Sequence, residues 1–183
     1  MKALIIIFLA LLLASCNTIQ DELTGPNTDL PDGEGFYTAG SGTFRLRYKV
    51  IPGGLLECEL KANTTGWLAV GFNPSIQMKD ANFIIGNVTS GIGSIRDDFG
   101  DSNSSHLPDT DLGGTSDVSL ISANEADGIS ILRFSVPLNS GDSRDTVLSV
   151  GSSYPVIFAS GGDDDLDSYH NALGAGTIRL RNP

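Results

Sequence analysis

Residues 66–78 read GWLAVGFNPSIQM. From Trp67 to Phe72 the run is continuously apolar, with the length and the aromatic and aliphatic content of a buried strand. Asn73-Pro74 ends it, because proline has no N–H to give to a ladder and asparagine before it favours a turn. The stretch therefore predicts a strand that breaks and delivers Met78 into the loop beyond. On its other side, Asn63-Thr64-Thr65-Gly66 supplies the turn that separates it from the strand before.

The same grammar extends in both directions. Segments 44–50, 55–62, 67–72, 82–88, 118–123, 129–136, 146–150, 156–160 and 177–180 are short and apolar or alternating, and read as strands. Many are joined by turn clusters such as Pro52-Gly53-Gly54 and Asn139-Ser140-Gly141-Asp142, and no long amphipathic helix competes. The expected fold is all-β, an antiparallel immunoglobulin-like β-sandwich of about 9–11 strands.

The chain opens with Met1-Lys2, an apolar run over 3–14, and Ser15-Cys16, the layout of a secretory signal. The run is shorter than the roughly 20 residues that span a bilayer. Leu13-Ala14-Ser15-Cys16 resembles a bacterial lipobox, which implies a signal over 1–15 and lipidation of Cys16. Several acyl chains there would hold the protein stably on a membrane. The expected location is extracytoplasmic and lipid-anchored; Asn17, by the same resemblance, points to an outer membrane facing the periplasm, with the cell surface as the alternative. Residues 16–42 are polar, rich in Gly, Pro, Asp and Thr, and aperiodic, so they read as a tether. Residues 43–183 then form one domain, long enough for a real core.

Loss of Lys2 with the signal takes the formal charge from −11 to about −12, a surface that repels nucleic acid. Cys58 would be the only thiol left after lipidation of Cys16, so no intramolecular disulfide forms. It lies in LLECELKA, where Leu56, Cys58, Leu60 and Ala62 share one face, and it reads as a small buried apolar residue.

Four segments together, GWLAVGFNPSIQMKDANFIIGNV, the acidic loop with Pro108 and Asp111, GISILRFSVPLNSGDSRD, and VIFASGGDDDLDSYHNALGAGTIRL, resemble the cytochrome-type branch of the DOMON domain family. The resemblance covers roughly Thr43 to Leu180. It implies an extracytoplasmic β-sandwich that binds haem b between a methionine after the GW strand and a histidine near the last strand, here Met78 and His170. Met and neutral His are an axial pair of electron-transfer cytochromes, and the thioether raises the reduction potential. No C-x-x-C-H is present, so the haem would be held non-covalently. The implied role is one-electron transfer to a separate redox partner protein, and not a complete enzyme. The alternative, from the fold shared with carbohydrate-binding modules, is a sandwich that binds sugar or another small ligand without haem.

Several residues compete with that assignment. Met78 is the sole methionine once Met1 is lost, yet a loop methionine also packs well into the end of a sandwich. His170 could cap the last strand, His106 in DSNSSHLPDTD reads as a loop histidine or a substitute ligand, and Lys79 is a minor alternative. Trp67, Phe72, Phe83 and Tyr169 could wall a haem pocket or simply be core. Asp97-Asp98-Asp101 and Asp163-Asp164-Asp165-Asp167 carry the hard oxygens that suit calcium, but lack EF-hand spacing and read as solvated loops. Charge near His170 would then set a docking face for a basic partner. By the same resemblance, many haem-binding relatives carry a basic residue before the proline, where this chain has Val136-Pro137, so a propionate would fall to Arg133, Arg144, Arg179 or Arg181.

Overall fold

The computed structural model of the chain describes residues 30–183. The signal segment, Cys16 and the first part of the expected tether lie outside the described residues. Eleven strands follow in order: β1 (Tyr37–Ser41), β2 (Phe44–Ile51), β3 (Leu55–Ala62), β4 (Leu68–Phe72), β5 (Asn82–Thr89), β6 (Ile92–Phe99), β7 (Leu107–Pro108), β8 (Ser119–Ala126), β9 (Ile129–Pro137), β10 (Ser153–Gly161) and β11 (His170–Arg179). They make two antiparallel sheets, β1-β2-β3-β9-β8 and β11-β10-β4-β5-β6-β7, so the expected sandwich is the observed fold.

Two strands of the five-stranded sheet, β2 and β9, alternate strictly. Phe44, Leu46, Tyr48 and Val50 of β2 are buried, while the residues between them are partly exposed. Their partners in register are Ala62, Leu60, Cys58 and Leu56 on β3, and across β3 stand Leu132, Phe134 and Val136 of β9. Cys58 is a free thiol buried on this inner face, as its spacing predicts, and burial pushes its pKa up. The opposing sheet contributes Leu68, Val70, Phe72, Ile84, Val156, Phe158 and Ile178 to the same core.

Strands β4 and β5 do not alternate. Every residue of β4, and all but the last of β5, is buried. In an antiparallel sandwich that pattern requires a cover on the outer face as well. Trp67, Ala69 and Ile85 form a second apolar cluster there, with Ala159 and Leu166 packed against it. The outer face of the six-stranded sheet is thus the floor of a site.

Three expectations need correction. The tether was expected to reach Gly42, but Tyr37–Ser41 is β1, paired with β2, and Phe36 and Ala39 are buried. Asp32 anchors this stretch: its carboxylate accepts the N–H groups of Glu34 and Phe36 and the Arg47 Nε and Nη2 donors. Segment 146–150 is not a strand; Leu148 alone turns into the core while Val147 and Val150 are exposed. Asp97 and Asp98 are not in a solvated loop, since both lie within β6 and are only 2% and 0% exposed.

Candidate functional site

Met78 is held by a tight turn. Beyond β4 the chain forms an isolated bridge between Ile76 and Lys79, with Gln77 in the left-handed region (φ 54°) and the Lys79 N–H donating to the Ile76 carbonyl at 3.0 Å. The Met78 N–H donates to the Asn103 carbonyl at 3.4 Å, and the Met78 carbonyl accepts from Ala81 at 3.2 Å. A side chain on Gly100 would overlap that carbonyl, so glycine at position 100 is what lets the end of β6 approach the Met78 turn. Met78 is half-buried; Lys79 is exposed.

His170 is the first residue of β11 and pairs with Gly161 beside a bulge that leaves Asn171 of β11 unpaired. The acidic segment before it is strapped to the sheet. The Trp67 N–H donates to the Asp163 carbonyl at 2.8 Å, its indole Nε1 donates to Ser168 Oγ at 2.9 Å, and Ser168 Oγ donates to Asp163 Oδ1 at 2.7 Å. Asn87 Nδ2 and Thr89 Oγ1 of β5 hold Asp164 in the same way, at 2.6 and 2.7 Å. A side chain on Gly161 would strike the Trp67 ring, so that glycine is needed for the indole to lie flat under the strap. The Tyr169 and His170 rings touch with centroids 4.6 Å apart.

Between these two loops a cavity of about 530 Å³ opens on the outer face of the six-stranded sheet. Met78, His106 and His170 all line it, over a floor that includes Trp67, Phe83 and Ile85. The volume lies within the roughly 300–1,000 Å³ of small-molecule sites, and apolar walls with few polar groups are their usual composition. Gln77, Asn103, Ser104, Ser105, Ser168 and the Asp167 carboxylate provide polar groups beside the histidines. Of the aromatics singled out from sequence, Trp67 and Phe83 are buried in the wall, Tyr169 is 84% exposed at the rim, and Phe72 belongs to the core on the other face.

His106 is fixed by a buried acid. Its Nδ1 lies 2.6 Å from Asp98 Oδ2, and Arg96 grips the same carboxylate through Nε and Nη2 at 2.7 and 2.8 Å. Arg96 Nη2 also donates to Asp167 Oδ1 at 2.7 Å, linking β6 to the strap before His170. Burial raises the Asp98 pKa, but the His106 and Arg96 hydrogen bonds and charges outweigh it and hold the carboxyl below its ordinary value. A carboxylate so paired orients the His106 ring, which packs on Phe83 with centroids 5.6 Å apart.

The four arginines expected to serve a propionate do not line the cavity. Arg133 is paired with Glu57, Arg144 donates to the Leu112 carbonyl and lies over Phe99, and Arg181 lies over Tyr37. Arg179 sits at the far end of β11 from His170. The cavity's hydroxyl, amide and imidazole groups are the polar partners available to an anionic substituent, and the Asp167 carboxylate, paired with Arg96, also lines it. Sequence reasoning missed the Arg96, Asp98 and His106 chain; the period-two pattern of 92–99, with Ile92, Ser94, Arg96 and Asp98 on one face, carried the signal.

A profile of the DOMON domain matches residues 40–161. The chain belongs to the DOMON family. The match includes Met78 and ends before His170. Among solved structures, this DOMON domain is similar to the cytochrome domain of Myriococcum thermophilum cellobiose dehydrogenase, with a TM-score of 0.63, 12% identity, and coverage of 86% of this chain and 91% of that one. It is also similar to the cytochrome b domain of pyranose dehydrogenase from Coprinopsis cinerea, with a TM-score of 0.54, 11% identity, and coverage of 74% and 75%. At such identities the likeness establishes the fold.

Proposed function

We propose that this DOMON domain binds haem b in the cavity between Met78 and His170 and serves as a one-electron transfer module. The observation that carries the reading is that the sole methionine of residues 17–183 and the histidine at the head of β11 line one apolar cavity. The donor set fits: a thioether on a turn and an imidazole at the head of β11, over an apolar floor, are the ligands a low-spin haem takes from protein. The two similar structures are by name cytochrome domains, which supports the same assignment.

When bound, haem supplies a one-electron redox couple. The chain's own residues do the rest. Met78 is positioned by the Gly100 contact and the Asn103 carbonyl, and His170 by the strap tied to Trp67. Trp67, Phe83 and Ile85 exclude water from the floor, and burial of this kind tunes a redox potential. The exposed Tyr169 and Leu173 beside His170 give a partner protein an edge to dock on. We place the protein outside the cytoplasm, anchored to a membrane through lipid on Cys16, with catalysis belonging to its redox partner.

Titrating hemin into the purified chain tests the assignment. A Soret band that saturates at one equivalent supports it, and absence of any saturable band rules it out. A second reading, sugar binding, draws on the exposed Tyr169 and the polar Asn103, Ser104 and Ser105 at the same cavity. Burial of Trp67, the single tryptophan, removes the stacking platform such a site would use. Sugar-dependent quenching of protein fluorescence with no Soret band would favour that second reading.

A further inference from the structure

The alternation that turns Asp98 toward His106 turns Asp97 to the other face of β6, among groups that the haem cavity does not use. One oxygen each from Asp97, Asp117 and Asp145 lies within 4.8 Å of the others. They come from three parts of the chain: β6, the segment before β8, and the connection between β9 and β10. Asp97 Oδ2 accepts the Asp117 N–H at 2.8 Å, and Asp145 Oδ1 accepts from Asn82 Nδ2. Asp97 is 2% exposed and Asn82 8%, yet Asp97 Oδ1 and Asn82 Oδ1 have no hydrogen-bond partner. Both oxygens of Asp109, fully buried in the short 3-10 turn Asp109–Leu112, are also without one.

Buried acceptors left unpaired are costly, and buried like charges more so. Arg144 is the neighbouring cation, but its guanidinium donates to the Leu112 carbonyl and lies over Phe99. A cluster of this kind is relieved by a positive ion at its centre. We infer that Asp97, Asp117 and Asp145 form a binding site for a divalent cation of the calcium type, with the Asn82 Oδ1 amide oxygen as a neutral additional ligand.

The chemistry is specific in two ways. All donors are hard oxygens, with no imidazole or thiolate, which selects calcium or a similar ion over zinc or copper. Calcium bonds of about 2.3–2.6 Å place ligand oxygens up to about 5 Å apart across the ion, and the three oxygens here lie within that reach, no more than 4.8 Å from one another. Burial and the neighbouring acids push Asp97 up to about 8 and Asp109 up to about 7, and Asp145 upward too. The ion would clip the irregular connection between β9 and β10 to β6, and so brace the end of the sandwich from which the Met78 turn also springs. The site stands independently of haem binding.

Isothermal titration of calcium chloride into the purified, EDTA-treated chain tests this, with thermal unfolding followed in parallel. The expected result is one saturable site and a Tm rise of about 5–10 °C at a hundredfold excess over Kd. Asp117→Asn and Asp145→Asn are expected to weaken calcium binding at least about 10-fold. Each is also expected to raise, not lower, the Tm in EDTA, because each removes a repelling charge; that readout separates a ligand from a merely structural residue. No saturable heat and no Tm change up to about 10 mM calcium, beyond the weakest extracellular sites, overturns the proposal. Variants that bind calcium as tightly as the unmodified chain overturn it equally.

Discussion

Met78 and His170 line the same cavity, although one stands in the turn after β4 and the other opens the last strand. Had they fallen at opposite ends of the sandwich, no haem could join them. Each is delivered by its own device, a glycine contact for Met78 and an indole-bound strap for His170, and each device yields a separate test.

Gly100→Ala should disturb Met78 from a position outside the cavity lining. The added methyl overlaps the Met78 carbonyl, so the turn must move. Overpacking of this kind costs about 1–3 kcal/mol. The expected outcome is a lower Tm and faster loss of haem to apomyoglobin, while Gly91→Ala, at an open turn, leaves haem loss unchanged.

Ser168→Ala removes the acceptor of the Trp67 indole N–H. A buried donor left unpaired costs about 1–3 kcal/mol. The strap before His170 should loosen, and hydrogen exchange over residues 163–170 should quicken while the exchange of β2 and β3 stays as it was. Equal exchange in both proteins would mean that the strap is held by its other bonds.

Asp98→Asn breaks the chain from His106 through Arg96 to Asp167. Asp98 is fully buried, and Arg96 keeps 26% exposure. Removing one partner of a buried pair costs about 3–5 kcal/mol, and the half-open position of Arg96 puts the loss near the lower end. Denaturant unfolding measures it. His106 should also lose its fixed orientation, visible as a changed ring-proton shift.

Truncation at Thr43 would leave the tether boundary where the sequence placed it, and it should fail. It removes β1 and the buried Phe36 and Ala39. Loss of one buried phenylalanine alone costs about 3–5 kcal/mol. A start at Leu30 keeps the Asp32 clamp on Arg47. Burial raises the Asp32 pKa, but its hydrogen bonds from Phe36, Arg47 and Glu34 outweigh that and hold it below 3.8. The folded-state value is therefore lower than the unfolded one. Its contribution is present above about pH 4 and is lost as pH falls through the lowered value. Asp32→Ala should accordingly cost stability at pH 7 and much less at pH 2, as read by thermal unfolding.

The sandwich was legible because β2 and β9 alternate residue by residue, and one slip of register would have turned Leu46 or Phe134 to solvent. Strand β6 was not, because Asp97 and Asp98 read as solvent-seeking; their burial depends on Arg96, His106 and acids brought in from distant segments. β1 was hidden by its glycine and hydroxyl side chains, which carry little periodic signal in YTAGS. Segment 146–150 misled for the opposite reason: three apolar residues suggest a strand, but only Leu148 points inward. For the site, resemblance singled out Met78 and His170, while their convergence depends on loop paths fixed by Gly100, Gly161 and Trp67. The unbroken burial of β4 carried a further clue, since an antiparallel strand apolar on both faces must be covered twice.

The most direct measurement is the dithionite-reduced absorption spectrum of the chain, purified from a haem-sufficient host, beside Met78→Ala and His170→Ala. Ligation by both residues gives a low-spin b-type spectrum in the unmodified protein, and its loss or conversion to high spin in each variant. A colourless protein that also refuses added hemin, or a low-spin spectrum that survives both substitutions, would contradict it.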